Sequence, residues 1–311
     1  MVLFDVLIIG AGPAAMTAAL YTCRKQLKTM VIGREVGGQT NQTSRIENYP
    51  GVDPMPGAQL MQKFHENMMN SGARFEVGNV TKVDRQEDGT FVVTLEEEGV
   101  YQAKTVILAF GREPRKLGIP GEKEFWGRGI ASCVTCDGLL FRDKTVAIVG
   151  GGNAALDGAL ELAGIARKIY MVHRFDFFEG DESTQQKVKN NPKIEILYKK
   201  AITEVKGDRK VRSVLIKDLD TNAMSELALD GYFLEIGSIV NTEPVAHLVK
   251  RNKNNEIIID SNCNTGVPGL FACGDVASNK YKQTVIAAGQ GAIAALEAHF
   301  YLTGGKMSTS Y

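Results

Sequence analysis

The chain has 311 residues, of which 44% are hydrophobic and 23% are charged, and its 36 basic and 36 acidic side chains give a formal net charge of zero. This composition is that of a globular protein with two ordinary domains or one long domain carrying an insert. The balanced charge gives no electrostatic case for binding nucleic acid or an anionic membrane.

The first apolar run, VLFDVLIIGAG, contains an Asp and lacks a basic start. It therefore predicts no signal peptide. We also expect no stretch long and apolar enough to span a bilayer. The predicted location is the cytoplasm, where structural disulfides are rare and a close cysteine pair is more often catalytic or metal-binding.

Alternating strand and helix patterns begin at the N-terminus. VLIIG predicts a buried strand, PAAMTAALYTCRK an Ala-rich helix and KTMVIG a second strand. The following segment, GREVGGQTNQTSRIENYPG, is polar, Gly-rich and too long for a simple turn, so it predicts a binding loop. A helix pattern in PGAQLMQKFHENMMN and strand patterns in RFEV, TKVDR, TFVVTL and KTVILAF come next.

The first glycine turn, GAGPAA, fits the dinucleotide fingerprint G-x-G-x-x-G/A between a strand and a helix. Gly10 permits the tight turn, Gly12 lets the backbone approach a pyrophosphate, and Ala15 lets the helix lie close to the strand. The phosphates would meet the N–H groups at the start of the helix. Glu35 comes slightly late for the ribose-binding acid expected about 20 residues on, and it is the candidate for that role.

The same order of strand, glycine turn, helix and strand returns in KTVAIVGGGNAALDGALELAGIARKIYMVHR. The first glycines of the two turns, Gly10 and Gly150, are 140 positions apart (150 minus 10). The sequence therefore predicts an α/β fold with two Rossmann-like, three-layer nucleotide-binding domains. The candidate nucleotide-binding residues of the second turn are Gly150, Gly152, Asn153 and Ala154.

Five cysteines are present, and only Cys133 and Cys136 are close in sequence, within CVTCD. A zinc site needs about four ligands. The other cysteines and the four His are scattered, so no metal site is predicted. A redox disulfide is favoured, because two intervening residues allow closure and such motifs generate an attacking thiolate; an inert reduced pair is the alternative. The neighbouring Asp137 is either a proton carrier for the thiolate or an ordinary loop carboxylate.

Taken together, these pieces resemble the low-molecular-weight thioredoxin reductases, FAD-dependent members of the pyridine nucleotide-disulfide oxidoreductases. The resemblance covers nearly the whole chain. It is carried by GAGPAA, GGQT, IENYPG, ILAFGREPRKL, ASCVTCDGLLF, VAIVGGGNAAL and VPGLFACGDVASNKYKQTVIAAGQGAIAAL.

The resemblance implies a discontinuous FAD domain, residues 1–115 and 245–311, split by an inserted NAD(P)H-type domain, residues 116–244, that carries the cysteine pair. From the residues themselves, Asp275 is expected to end the strand LFACGD and to receive a ribityl or ribose hydroxyl. Lys282 stands where many relatives carry Arg, and it keeps the charge but loses the planar fork. With Glu35, the predicted FAD-binding residues are Gly10, Gly12, Pro13, Ala14, Gly38, Gln39, Asn48, Gly111, Gly274, Asp275, Lys282, Gln283 and Thr284.

By the same likeness, the Cys133–Cys136 disulfide takes two electrons from reduced flavin and passes them to thioredoxin or a thioredoxin-like protein. Cys136 would face the flavin, Cys133 would attack the disulfide of that protein, and Asp137 would serve as acid and base. Relatives rotate the insert against the FAD domain, so the crossings near residues 112–118 and 241–246 are candidate hinges. Relatives are homodimers, and a homodimer is expected here.

The second nucleotide site departs from its relatives. NADPH-using relatives carry H-R-R-x-x-x-R, whose Arg side chains grip the 2′-phosphate, whereas this chain keeps His173 and Arg174 but has Phe175 and Glu179 at the other two positions. Each lost charge-assisted hydrogen bond is worth roughly 1.5–3 kcal/mol. Glu235, expected in a strand, would add a further negative charge on the nicotinamide side. NADPH is therefore disfavoured as the electron donor.

Three explanations of this departure stay open. The first is that the donor is NADH, with Glu179 bound to a ribose hydroxyl. The second is that the donor is a different molecule, such as reduced ferredoxin or a deazaflavin. The third is that Arg167 or Lys168 restores NADPH binding. We favour a donor other than NADPH. The terminal Tyr311 would bar nicotinamide if it folded over the isoalloxazine, although a disordered tail is the simpler expectation.

Two other functions fit the same motifs. A dithiol oxidase would run the flavin and the cysteine pair in reverse, with oxygen as the acceptor. A non-catalytic flavin redox sensor would bind the cofactor without turnover. A ferredoxin–NADP reductase of similar architecture usually lacks the cysteine pair, so Cys133 and Cys136 argue against it.

Overall fold

The computed structural model of the chain describes residues 2–43, 45–97 and 99–305. Within these ranges the α-helices are α1 (Pro13–Arg24), α2 (Gly57–Asn70), α3 (Glu122–Phe125), α4 (Val134–Asp137), α5 (Asn153–Ala163), α6 (Glu182–Lys189) and α7 (Thr284–Leu302). The strands are β1 (Leu3–Ile9), β2 (Thr29–Gly33), β3 (Arg74–Val77), β4 (Val80–Arg85), β5 (Phe91–Leu95), β6 (Val100–Leu108), β7 (Glu113–Pro114), β8 (Ile130–Ala131), β9 (Thr145–Val149), β10 (Lys168–His173), β11 (Ile194–Tyr198), β12 (Lys200–Gly207), β13 (Val211–Asp218), β14 (Met224–Ala228), β15 (Gly231–Leu234), β16 (Ser238–Ile239) and β17 (Leu270–Ala272).

The chain divides into two compact units. Unit 1 comprises the described residues of Met1–Asn41, Pro56–Glu113 and Ile239–Tyr311, and unit 2 comprises those of Gln42–Met55 and Pro114–Ser238. Residues 42–55 therefore group with unit 2, although they fall within the first part of the predicted FAD domain, residues 1–115.

Unit 1 is built on a seven-stranded sheet of order β3-β2-β1-β6-β5-β4, with β17 also paired to β6. The neighbours of β1 are parallel to it, and β17 is parallel to β6, whereas β4 and β5 run antiparallel. The parallel strands are apolar runs such as LFDVLII, which are buried on both faces because helices cover the sheet. Their carboxyl ends align, since Ile9 pairs with both Ile32 and Leu108, and Leu108 pairs with Ala272.

Unit 2 repeats this plan in a five-stranded sheet of order β11-β10-β9-β15-β8, in which all pairs are parallel. A separate antiparallel sheet of β12, β13 and β14 packs its apolar side chains with this sheet in one core cluster. Both units contain the predicted order of strand, glycine turn, helix and strand. The α/β fold class with two Rossmann-like domains is therefore confirmed.

Helix α7 corrects one expectation. By length and composition it is the one helix of the described residues that could cross a membrane, so the expectation that no stretch is long and apolar enough is wrong. A single helix of this kind is weak evidence for a membrane span. In unit 1, α7 packs against α1, and its buried positions are the small residues Ala287, Ala288, Gly291, Ala294, Ala295 and Ala298.

The contact of α7 with α1 yields a stability prediction. A Cβ at Gly291 would lie 2.2 Å from the carbonyl oxygen of Ala14, whereas a Cβ at Gly289 would meet nothing within 4 Å. We expect Gly291→Ala to destabilise unit 1 by about 1–3 kcal/mol, because backbone cannot yield as a flexible side chain does. Gly289→Ala on the same helix is the control, and it should stabilise by up to about 1 kcal/mol through helix propensity.

Thermal unfolding of the two variants, followed by far-UV circular dichroism, measures this difference. Each kcal/mol should move the transition midpoint by about 2–4 °C in a unit of this size. Equal midpoints for the two variants would contradict the close helix contact.

Candidate redox and nucleotide-binding sites

The glycine turn of unit 1 is a close approach of backbone to backbone. Gly10 has φ 122°, and a Cβ there would lie 2.2 Å from the carbonyl oxygen of Ala109, which follows β6. A Cβ at Gly12 would meet nothing within 4 Å, so the next glycine faces open space. Gly38, in the long loop after β2, comes back over Gly12, because its own Cβ would lie 3.6 Å from the Gly12 Cα.

The start of α1 suits an anion. No side chain caps the helix at Gly12, and its first turn holds no acidic residue. The unpaired N–H groups and the helix dipole therefore face the open space above Gly12. These features fit the pyrophosphate of a dinucleotide, which needs close access to backbone N–H groups.

Side chains from separate segments converge near this turn. Gln39 donates a hydrogen bond from Nε2 to the carbonyl of Arg112, and the hydroxyls of Thr40 and Thr284 lie 3.0 Å apart. Gln39 and Thr40 lie in the loop after β2, Arg112 comes after β6, and Thr284 begins α7. The structure thus gathers at one edge of the sheet the residues predicted to bind FAD in unit 1.

Asp275 is placed differently from the expectation. It does not end the strand LFACGD, because β17 ends at Ala272 and Asp275 lies in a 3-10 turn, Gly274–Val276. That turn is held by the Gly274 N–H, which donates to the side-chain oxygen of Gln290. Burial raises the pKa of the Asp275 carboxyl, an effect that the nearby Arg112 (Nε 3.6 Å away) and Lys282 oppose.

Three of the other predicted FAD residues lie in different surroundings. Glu35 is exposed, two residues beyond the end of β2, and Asn48 belongs to the segment that groups with unit 2. Lys282 turns its ammonium towards Glu256, 3.0 Å away. Tyr311, proposed as a cover for the isoalloxazine, lies outside the described residues.

The cysteine pair of unit 2 forms a disulfide, with the two Cα atoms 5.3 Å apart. The pair is carried on the single helical turn of α4, in which the Cys136 N–H donates to the Cys133 sulfur over 3.2 Å. Both cysteines are partly exposed. The favoured interpretation of CVTC as a disulfide agrees with this geometry.

Helix α5 supports the disulfide turn. Val134, between the cysteines, is buried against Gly158, where a Cβ would lie 3.0 Å from a Val134 methyl group. The Thr135 hydroxyl donates to the Glu161 carboxylate over 3.2 Å. Gly138, directly after the turn, packs on Leu162 and Ile165. The disulfide is therefore fixed to the helix that begins at the second glycine turn.

Asp137 is suited to carry a proton. Its side chain is buried, 9% exposed, and its Oδ1 has no hydrogen-bond partner among the described residues. Burial alone raises the pKa of its carboxyl to about 6. At that value both protonation states are accessible near neutral pH, as acid–base catalysis requires.

At the second glycine turn, two backbone segments also lie very close together. A Cβ at Gly150 would lie 2.4 Å from the carbonyl oxygen of Glu235, whereas Gly152 faces open space at the uncapped start of α5. Glu235 is not in a strand as expected, because β15 ends at Leu234. The Asn153 side chain accepts a hydrogen bond from the Asp181 N–H over 2.6 Å, and Ala154 is exposed.

His173 ends β10 and is buried, 4% exposed, directly over the second glycine turn. A Cβ at Gly151 would lie 2.2 Å from its ring, so any other residue there would have to displace the buried imidazole. Burial lowers the pKa of the imidazole, which favours its neutral form, and Nε2 has no partner among the described residues. His173 is therefore a neutral packing element and not a cation in this structure.

Aromatic rings dominate the segment in which the resemblance predicts phosphate-binding Arg residues. Phe175 and Phe177 are stacked with their centroids 5.6 Å apart, and they are 40% and 57% exposed. The Arg174 guanidinium lies 5.2 Å from the centroid of Phe175, and Phe178 packs beneath on His173. Glu179 is exposed, and its N–H donates to the carbonyl of Gly151. We call residues 174–179 the aromatic segment.

Nearby cations do not take the place of the missing Arg residues. Arg167 precedes β10 and Lys168 begins it, whereas His173 ends it, five residue steps or on the order of 16 Å away. Lys168 pairs with Glu195 at 2.8 Å. This placement argues against the explanation that Arg167 or Lys168 restores NADPH binding. Lys199, which sequence reasoning missed, lies closer, but its ammonium is paired with Asp220 at 3.1 Å and Asp176 at 3.7 Å.

Two nucleotide-type glycine turns and a disulfide on one of the two units define a disulfide oxidoreductase of the nucleotide-binding class. Residues 4–291 match the family described as pyridine nucleotide-disulphide oxidoreductase. The chain belongs to this family, which confirms the resemblance found in the sequence.

Individual relatives are similar over nearly the whole chain. The thioredoxin reductase of Helicobacter pylori strain J99 is 39% identical over 310 residues, covering 96% of this chain and 99% of that protein. The crystal structure of thioredoxin reductase from Streptococcus pyogenes MGAS5005 superposes with a TM-score of 0.92 at 37% identity, covering 97% of this chain and 99% of that one. A component of the alkyl hydroperoxide reductase of Staphylococcus epidermidis is 37% identical over 96% of this chain, which spans only 59% of the length of that relative.

The buried carboxyl of Asp137 predicts a pH-dependent effect on stability. Its folded-state pKa of about 6 lies above the ordinary value of 3.8, so the folded protein holds the proton more tightly than the unfolded chain does. Stability is therefore lost as pH rises from about 4 to about 6, by at most about 3 kcal/mol. Asp137→Asn should be more stable than the wild type at pH 8 and equally stable at pH 4.

Chemical unfolding of oxidised wild type and Asp137→Asn at the two pH values measures this difference. The exposed Asp143→Asn is a suitable control, since it should show no comparable change. A pH-independent difference between wild type and Asp137→Asn would contradict the raised pKa.

Proposed function

We propose that the protein is a flavin-dependent thioredoxin reductase that takes its electrons from a donor other than NADPH. FAD lies at the glycine turn of unit 1, and the protein substrate is thioredoxin or a thioredoxin-like protein. The observation that carries the proposal is the Cys133–Cys136 disulfide, formed beside a buried carboxyl with a raised pKa, in a chain of this family.

When bound, FAD would supply the two electrons that reduce the disulfide. The Cys133–Cys136 bond is reduced by two electrons and two protons to a dithiol. The Cys133 thiolate then attacks the disulfide of the substrate protein, forming a mixed disulfide and releasing one substrate thiolate. The Cys136 sulfur attacks Cys133 in turn, which re-forms the pair and releases the reduced substrate. Asp137 accepts or donates the proton at these sulfur atoms.

A protein substrate is supported by the surface next to the cysteines. Leu139 and Leu140 follow the disulfide turn directly, and both are exposed. Large exposed apolar side chains beside a reactive group are typical of a protein-docking surface. The relatives that this chain matches over nearly their full length are thioredoxin reductases, which supports the same substrate class.

The choice of donor rests on the aromatic segment. NADPH carries a 2′-phosphate with nearly two negative charges, and Phe175 and Glu179 stand where relatives place Arg. The nearest further cation, Lys199, is paired with two carboxylates. NADH, reduced ferredoxin and other low-potential donors do not need these Arg residues, and ferredoxin would act as a protein partner.

Anaerobic titration of the oxidised flavin with NADPH, NADH and reduced ferredoxin in parallel tests the proposal. We expect little bleaching by micromolar NADPH and full reduction by at least one of the other donors. Chemically reduced enzyme should then reduce thioredoxin, and Cys133→Ser or Cys136→Ser should abolish this turnover.

Other outcomes separate the alternatives. Rapid bleaching by micromolar NADPH would refute the donor proposal. Oxygen consumption with small dithiols, without thioredoxin reduction, would identify a dithiol oxidase. A flavoprotein that turns over neither substrate would be a redox sensor, and a protein that refuses FAD would refute the scheme as a whole.

Restoring Arg side chains at positions 175 and 179 should restore NADPH binding. The double variant Phe175→Arg/Glu179→Arg re-creates the pattern H-R-R-x-x-x-R. Two charge-assisted hydrogen bonds at roughly 1.5–3 kcal/mol each should tighten NADPH binding on the order of 100-fold or more. Stopped-flow flavin reduction at varied NADPH measures this gain. Phe177→Arg, which adds a cation at a neighbouring exposed aromatic, is the matched control and should gain far less.

A further inference from the structure

We propose that Lys282 and Glu256 form a buried ion pair that positions residues 275–283 for FAD and balances the charge around Asp275. Lys282 is then a positioning residue and not a direct flavin contact. The proposal rests on the placement of FAD at the glycine turn of unit 1. All groups involved belong to unit 1.

The Lys282 ammonium is enclosed by acceptors. Its Nζ lies 3.0 Å from the Glu256 carboxylate, and the two side chains are only 8% and 14% exposed. The same ammonium donates to the carbonyl oxygens of Asp275 and Ala277, and it lies 3.4 Å from the side-chain oxygen of Asn279. An ammonium has three donors. These four acceptors therefore use all of its hydrogen-bonding capacity within unit 1.

The segment that carries Glu256 is tied to the same turn by its backbone. The Ile257 N–H donates to the carbonyl of Val276, and the Ser278 N–H donates to the carbonyl of Ile257, each over 2.9 Å. Glu256 itself is oriented by the Asn252 side chain, which donates to its second oxygen over 2.6 Å. The ion pair thus lies beside a short parallel bridge and fixes the turn that presents Asp275.

Four charged side chains form a balanced set. Arg112 and Lys282 favour the ionised form of Asp275, whereas Glu256 opposes it, and burial raises the pKa of the Asp275 carboxyl. The set of Arg112, Asp275, Lys282 and Glu256 holds two positive and two negative charges. Loss of Lys282 would leave an uncompensated buried carboxylate, which is strongly unfavourable.

Lysine suits this position better than arginine does. Two carbonyls, an amide oxygen and a carboxylate converge on one point, and a compact ammonium can meet them from several directions. The planar guanidinium fork is matched to a flat, bidentate partner instead. Lys282 in place of the Arg of many relatives is therefore explained by the buried Glu256.

The test varies the net charge of the set. Lys282→Met makes it −1, Glu256→Gln makes it +1, and the double variant Lys282→Met/Glu256→Gln returns it to zero. FAD affinity is measured by fluorescence quenching on reconstituting apoprotein, and the flavin midpoint potential by anaerobic spectroelectrochemistry. Lys280→Met, which removes an exposed ammonium near the Tyr281 ring, is the control.

The expected results follow from the charge. Lys282→Met should weaken FAD binding on the order of 10-fold or more and shift the potential to more negative values. Glu256→Gln should shift the potential to more positive values, and the double variant should return it to the wild-type value. Lys282→Arg should keep the wild-type potential while binding FAD less tightly.

A set of variants with unchanged FAD affinity and potential would overturn the proposal while leaving the proposed function intact. So would a double variant that binds FAD no more tightly than Lys282→Met does, because removing Glu256 should relieve the uncompensated buried charge. If Lys282→Met fails to fold, Glu256→Gln and Lys282→Arg still test the charge dependence. Wild-type apoprotein that does not bind FAD would overturn both the proposed function and this inference.

Discussion

The structure depends on two glycine turns at which the protein backbone lies too close to a neighbouring segment for any side chain. At Gly10 and at Gly150, a carbonyl oxygen of a neighbouring segment stands 2.2 and 2.4 Å from where a Cβ would be. These approaches let each helix begin directly over the end of its first strand. The open space at Gly12 and Gly152 exists because of them, and both nucleotide-type sites are built around that space.

The two glycine turns have the same arrangement of strand, turn and helix but different surroundings. In unit 1 the long loop after β2, the end of β6 and the turn with Asp275 close around the glycines with polar groups. In unit 2 a neutral buried His173 and exposed aromatic rings stand at the corresponding edge. A shared backbone arrangement therefore does not imply a shared ligand, and the side chains at the strand ends decide what each turn can bind.

Much of this arrangement was predictable from the sequence, because it depends on local patterns. Apolar runs followed by glycines located the strands and helices of both units, and the spacing of Cys133 and Cys136 indicated a disulfide. The contributions of Glu256 and Lys199 were not predictable, since each acts through residues distant in sequence. One signal was available for Glu256, a charged residue directly before the apolar run of Ile257, Ile258 and Ile259. The pattern LFACGD predicts a strand that runs to Asp275, whereas β17 ends at Ala272 and Gly274, with φ 73°, begins the turn that holds Asp275.

The attachment of the disulfide turn to α5 gives the second glycine turn a structural role that does not depend on a bound nucleotide. Helix α5 starts at Gly152, and along its length it holds Val134, Thr135 and Gly138. Disruption of the turn would shift the helix and misplace the sulfur atoms at its side. The glycines are therefore needed to place the two sulfur atoms, whichever electron source the protein uses.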